Sequence, residues 1–162
     1  MIFEPVNKNN IKALCAIARE IWTEHYIPII GKAQVEYMLE KFQSEEAISN
    51  QIENEGMLYY LLKVKYKYLG YIAFQVNGPE LFLSKLYVLY VERGKGYGRK
   101  AMEFIEKVAA ERNLGKIILT VNKNNCLAIS VYEKMGFEKK GSLVKDIGGG
   151  FAMDDFFLEK KI

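Results

Sequence analysis

Histidine and tryptophan occur once each in the 162 residues, cysteine twice and proline three times. One histidine and two distant cysteines, Cys15 and Cys126, offer no metal-ligand spacing, so no metal is expected, and so remote a pair is weak ground for a disulfide. Two reduced thiols fit a cytoplasmic protein. No apolar run reaches the roughly 18 residues of a membrane span, and MIFEPVNKNN lacks the apolar stretch of a signal peptide. Repeats, low-complexity tracts and linkers rich in Pro, Gly and Ser are missing as well. One domain over residues 1–162, long enough to bury a core, is the expectation. A formal net charge of +3 is too small to point to nucleic acid.

What is present is unevenly placed. Residues 11–56 hold eight acidic side chains (Glu20, Glu24, Glu36, Glu40, Glu45, Glu46, Glu53, Glu55) against four basic ones, whereas residues 91–145 hold twelve basic against six acidic. An acidic block suits a cationic ligand and a basic block an anionic one, although solvated helix faces explain both equally well.

The apolar pattern orders the elements. A short strand opens the chain. Ile11, Leu14, Ile17, Ala18 and Ile21 form a helical stripe, capped by Asn7, Asn9 or Asn10 and ended by Pro28. VEYMLEKF and the stretch from Ser44, as cap, to Asn54 are two further helices. MLYYLLKVK (57–65) and LGYIAFQV (69–76) read as a hairpin, and ELFLSKLYVLYV (80–91) as the next strand. Residues 99–112 form a helix with Ala101, Ile105, Val108 and Ala109 on one face. KIILTV (116–121) reads as a buried strand, followed by a helix from about Asn125 to Lys134 with Gly136 as its left-handed cap. FEKKGSLVKD and FAMDDFFLEK close the chain as two strands separated by Gly148, Gly149 and Gly150. The fold class is mixed α/β or α+β: a largely antiparallel sheet with one parallel pair where helix 99–112 links two strands.

RGKGYGRKAM (93–102) stands out. Gly94, Gly96 and Gly98 lie between a strand and a helix, where backbone N–H groups lack intrahelical partners and the dipole adds positive charge. Bare backbone lets a phosphate approach them, and Arg93, Lys95 and Arg99 add the same sign. A loop that merely needs positive φ is the plainer alternative. The spacing is not a P-loop, because Arg99 stands where Ser or Thr would hold magnesium. Nor is it a dinucleotide fingerprint.

The run R-x-x-G-x-G from Arg93 to Gly98 resembles the pyrophosphate loop of the GNAT superfamily of acyl-CoA-dependent N-acyltransferases. LYVLYVERGKGYG is similar to its strand-plus-loop, although Tyr90 replaces a proline often found there, and Asn125, Ala128, Tyr132, Gly136 and Phe137 are similar to its second signature, N-x-x-A-x-x-x-Y-x-x-x-G-F. The element order matches over nearly the whole chain. The resemblance implies the GNAT acyl-CoA N-acyltransferase fold, with a bulged fourth strand splayed from the fifth and the pantetheine arm of acetyl-CoA in the gap. It implies that Leu86, Tyr87 and Val88 pair with that arm through backbone, that Gly94, Lys95, Gly96, Tyr97, Gly98 and Arg99 hold the pyrophosphate, and that Asn125 binds the arm from the far side. Lys134, Lys123 or Arg93 would meet the 3′-phosphate. Tyr132, a phenol of pKa about 10, would protonate the departing thiolate, and the Val88 N–H would stabilise the oxyanion.

The general base is a gap. An alkylammonium of pKa about 10.4 is neutral in only ~1 molecule in 2,500 at pH 7, a handicap of roughly 4.6 kcal/mol. Strand positions that carry a glutamate in some relatives carry Phe82, Ser84 and Thr120 here. A water chain or a residue of the first helices, His25 among them, would have to serve.

The resemblance also makes the first helices one wall of an acceptor pocket. Trp22, Glu24, His25 and Tyr26, with Tyr37, would offer carboxylates and aromatic faces to a cationic amine. IPIIGKAQVEYMLEKFQS and DIGGGFAMDDFFLEK are similar to segments of bacterial polyamine acetyltransferases of the PaiA type, so a polyamine or small aliphatic amine is the expected acceptor. Asp154 and Asp155 would contribute from opposite faces of one strand. A protein N-terminus or lysine is the alternative acceptor, and a non-catalytic acyl-CoA-binding regulator the alternative class. No membrane or nucleic-acid partner is expected, since cofactor phosphates account for the cations; relatives are often homodimers.

Overall fold

A computed structural model describes residues 1–162. The elements run β1 (Ile2–Pro5), α1 (Ile11–Ile30), α2 (Lys32–Gln43), α3 (Glu45–Asn54), β2 (Leu58–Val64), β3 (Lys67–Asn77), β4 (Glu80–Val88), a 3-10 turn (Tyr90–Glu92), α4 (Tyr97–Glu111), β5 (Lys116–Asn122), α5 (Cys126–Lys134), β6 (Glu138–Gly148) and β7 (Phe151–Lys161). The seven strands follow the order β1-β2-β3-β4-β5-β7-β6, antiparallel except where β4 meets β5. That is the mixed architecture expected, a sheet with one parallel pair flanked by five helices. The chain divides into two compact units, one of Met1–Gln75 with Ser84–Ile105, the other of Val76–Leu83 with Glu106–Ile162.

In the first unit, alternate side chains of β2 serve two faces, as strand geometry requires. Tyr60 packs with Phe74 and with Phe104 of α4, whose ring also stacks on Phe3 of β1. Tyr59, next in line, turns to the α1–α3 side and donates to Gln51 of α3. Leu14, Ile21, Ile48, Leu61 and Tyr71 are fully buried there. Glu4 pins β1: Lys63 (2.7 Å), Tyr68 (2.6 Å) and Asn10 (3.1 Å) all donate to its carboxylate and hold its pKa down to about 2.

Helix α1 does not stop at Pro28 but runs through it to Ile30. Proline lacks the N–H that would reach the carbonyl of residue 24, so the helix gives up one intrahelical bond there, at an exposed residue. The ladder resumes with Gly31 N–H to the Ile27 carbonyl at 3.0 Å, and Gly31, at φ 84°, ends the helix. Asn10 occupies the cap position without a capping bond; its Oδ1 accepts from Asn7 N–H at 2.8 Å. Ser44 caps α3 as expected, accepting from Ala47 N–H at 3.2 Å.

In the second unit, β4 and β5 are in parallel register for three pairs, from Glu80↔Lys116 to Phe82↔Ile118. Strand β5 then pairs along its length with β7, and β7 with β6. Gly136 takes the expected left-handed conformation (φ 91°) after α5. Ion pairs decorate the surface: Lys116 with Glu80 and Glu159, Lys160 with Glu106, Lys123 with Asp154.

Candidate active site

Two stretches of the first unit carry the expected cofactor residues. Strand β4 ends at Val88, three residues before the sequence pattern suggested, because Tyr90–Glu92 close into a 3-10 turn. Arg93 locks this turn to the strand: its Nε donates to the Val88 carbonyl at 3.1 Å and its guanidinium lies 5.6 Å from the Tyr90 ring centroid. The chain then alternates, with Gly94 at φ 76° and Gly96 at φ 80° and nothing within 4 Å of a methyl group added at either. Alternating left-handed residues aim successive N–H groups into one concavity, a shape suited to anions. Gly98 differs. It lies in the first turn of α4, which starts at Tyr97, two residues earlier than expected, and a methyl group there would stand 3.9 Å from Leu86. Lys100 N–H makes the helix's opening bond to the Gly96 carbonyl, so the N–H groups of Tyr97, Gly98 and Arg99 have no intrahelical acceptor. Arg99 is exposed, and Lys95 is paired with Glu92 at 2.8 Å.

The α1 wall is a packed aromatic cluster. Tyr26 and Tyr87 share a hydrogen bond at 3.0 Å between their hydroxyls. Trp22 touches both rings edge-on, and His25 lies 4.8 Å from Tyr26. Trp22 is only 4 % exposed: it supports the two tyrosines from behind, and the surface it was expected to present belongs to Tyr26 and Tyr87. Glu24 is exposed on α1.

Behind this cluster runs a buried hydrogen-bond chain that periodicity cannot reveal. Trp22 Nε1 donates to Tyr71 OH (2.9 Å), which donates to Gln43 Oε1 (2.8 Å). Gln43 Nε2 reaches Tyr59 OH (3.3 Å), which donates to Gln51 Oε1 (2.6 Å). Burial pushes both phenols up, out of reach of ionisation. Gly70 was missed too. A methyl group there would fall 2.0 Å from the Tyr87 carbonyl oxygen and 2.9 Å from Val88 Cα, so this strand-interior glycine marks a close backbone approach at the end of β4. Lys85, also on β4, donates to Ser84 Oγ at 2.9 Å, and its Nζ is 5.7 Å from the Tyr59 ring centroid. Burial lowers its pKa to about 8, against a weaker pull from Glu55.

The second unit holds Asn125, Tyr132 and Lys134. Asn125, buried to 4 %, caps α5: its Oδ1 accepts from Ala128 N–H at 3.4 Å. Tyr132 is half-buried, its ring edge-on to Phe137 at 5.6 Å. Of the three cations considered for the 3′-phosphate, Arg93 is tied to Val88 and Lys123 is paired with Asp154 at 2.6 Å, whereas Lys134 is exposed. Asp154 and Asp155 do face opposite ways: Asp154 is exposed, Asp155 buried.

Comparison with known proteins agrees with this geometry. Residues 14–137 match the acetyltransferase (GNAT) family. A spermidine N(1)-acetyltransferase of Thermoplasma acidophilum is 25 % identical over 156 residues, covering 94 % of this chain and 91 % of its own. The crystal structure of a PaiA N-acetyltransferase from Thermoplasma acidophilum in complex with coenzyme A superposes with a TM-score of 0.79 at 23 % identity, over all of both chains. A GCN5-related N-acetyltransferase from Rhodopseudomonas palustris gives a TM-score of 0.83 at 17 % identity, over 99 % of this chain and 95 % of that one. With a match spanning both signatures and most of the sequence, the chain belongs to the GNAT family of acyl-CoA-dependent N-acetyltransferases.

Proposed function

We propose that this N-acetyltransferase acts as one domain over residues 1–162, moving an acetyl group from acetyl-CoA to a primary amine within a ternary complex, and that the acceptor is a polyamine or similar small cationic amine. The observation that carries the cofactor part is the loop at Gly94 and Gly96: positive φ, open space and unpaired N–H groups at a helix start flanked by cations. Residues 94–99 hold the pyrophosphate, the backbone of Leu86–Val88 takes the pantetheine arm, and Lys134 meets the 3′-phosphate. The amine nitrogen attacks the thioester carbonyl, the Val88 N–H steadies the oxyanion, the C–S bond breaks, and Tyr132 gives its proton to the leaving sulfur. Tyr26, Tyr87 and the carboxylates of α1 favour a cationic acceptor, as does the similarity to the Thermoplasma relative. A cytoplasmic location fits the two free cysteines.

One observation favours a second acceptor class. Lys85 lies two residues before Tyr87, and its amine is held by the Ser84 hydroxyl rather than by a carboxylate; a cation there suits a peptide or amino acid, whose carboxylate it would pair, better than a polyamine. Thiol release from acetyl-CoA, measured with spermidine, spermine, putrescine, amino acids and short peptides, separates the two. Turnover with polyamines alone supports the first reading; turnover with peptides alone overturns it in favour of the second.

A further inference from the structure

Amide formation leaves a proton with nowhere assigned to go, because the attacking amine starts as an ammonium ion of pKa about 10.4. Among the buried polar side chains (Asn10, Gln43, Gln51, Asn125 and Asp155), Asp155 is the one carboxylate, 4 % exposed. No lysine or arginine pairs with it; the neighbouring cation, Lys123, is taken by Asp154 on the other face of the strand. An ionised carboxylate held out of water without a counter-ion is costly, and such groups gather at functional sites.

Its place is specific. In the β5–β7 register Asp155 lies opposite Asn122 and Phe157 opposite Thr120. Residues two apart on a strand share a face, which sets Asp155 diagonally beside Thr120 on one face of the sheet, where the Thr120 hydroxyl is placed to donate to its carboxylate. This is the end of β5 from which the chain passes through Lys123 and Asn124 into α5, the helix of Asn125 and Tyr132.

We propose that Asp155, acting through the Thr120 hydroxyl, is the proton acceptor for the incoming amine. The ammonium gives a proton to Thr120 Oγ1 as the hydroxyl proton passes to Asp155, so the carboxylate ends as a carboxylic acid and the nitrogen lone pair is free to attack. As the adduct collapses, the nitrogen gives its second proton to solvent and Tyr132 supplies one to the sulfur. Solvent later returns the Asp155 proton to the phenolate, which restores both groups and leaves one net proton in solution. Asp155 touches Thr120 and not the amine, so it is a positioning residue in this scheme and Thr120 the contact. Burial raises the Asp155 pKa, the charge of Asp154 adds to the rise, and the Thr120 hydrogen bond and Lys123 oppose it. Across the β6 register its partner is Leu143, which carries no charge. A raised value makes the carboxylate a better base.

The inference rests on the acetyltransfer reading, and the test separates their failures. Holding acetyl-CoA saturating, kcat/KM is measured from pH 6 to 10 for the amine the wild type acetylates fastest in a panel headed by spermidine. In Asp155→Asn the value falls about 100-fold or more at pH 7 and climbs about tenfold per pH unit towards the amine's own pKa, narrowing the gap, while coenzyme A affinity stays within about twofold of wild type. Thr120→Val, which keeps the β-branched shape of a strand residue, reproduces the pattern and stands in if Asp155→Asn does not fold. A loss of the same factor at every pH, or no loss, overturns the inference and leaves the acetyltransfer reading standing. No turnover by the wild type with any amine overturns both.

Discussion

The two units treat polarity in opposite ways. The first buries neutral polar groups and satisfies each from within: Trp22, Tyr71, Gln43, Tyr59 and Gln51 hand hydrogen bonds along one chain. The second keeps most of its polarity outside, in ion pairs and in β6, exposed from Glu138 to Asp146. Besides Asn125, which caps α5, it buries one carboxylate without a cation. Satisfied buried networks fix side chains in place; an uncompensated charge is tolerated where chemistry needs it. On this contrast, the first unit's buried polar groups are structural and the second unit's buried carboxylate is the candidate for a functional one.

The sharpest way to break the contrast is at Gly70. A methyl group 2.0 Å from the Tyr87 carbonyl forces β4 to move, so Gly70→Ala is expected to cost about 1–3 kcal/mol and to weaken coenzyme A binding tenfold or more by titration calorimetry. Gly141→Ala, where nothing lies within 4 Å, is the control and is expected to leave affinity unchanged. Next comes Tyr71→Phe, which removes the acceptor of Trp22 and the donor to Gln43 together. Unsatisfied buried groups cost about 1–3 kcal/mol, to be read by urea denaturation. A loss below about 0.5 kcal/mol would mean the network is idle.

Asp155→Asn should behave in the reverse sense. The folded pKa of Asp155 is raised, so the unfolded chain releases its proton first and stability falls as pH rises from the unfolded value, about 3.9, through the folded one. Above that window the asparagine variant is expected to be the more stable protein, with the higher urea midpoint at pH 7, although its acetylation is slowed. A less stable variant would place Asp155 with the structural groups. The smallest effect belongs to the surface: a double-mutant cycle on Lys123 and Asp154, with side chains 32 % and 55 % exposed, should give a coupling below about 1 kcal/mol.

What the sequence disclosed and what it hid divide along the same line. Ser44, Gly136, the β2–β3 hairpin and the glycine loop were legible because each rests on local chemistry: a cap, a left-handed turn, a strand alternation, a helix start. Pro28 misled because a helix survives a proline when the turns on either side hold, as the Gly31 N–H to Ile27 carbonyl bond does here. The depth of Trp22 and the partners of Gln43 and Gln51 were hidden because those contacts join residues up to 49 apart in the chain. Gly70 was hidden because its reason lies in another strand's backbone. Asp155 was half legible: alternation separated it from Asp154, but only the register of β5 with β7 sets it beside Thr120.

The most direct test of the central claim pairs two readings on wild type and Tyr132→Phe: thiol release from acetyl-CoA with the best amine, and coenzyme A affinity by calorimetry. The account predicts turnover in the wild type, a fall of about 100-fold or more in kcat for the variant and an affinity changed by less than about twofold. Wild-type turnover left intact by Tyr132→Phe would contradict the assigned acid, and coenzyme A binding without turnover on any amine would contradict acetyl transfer itself.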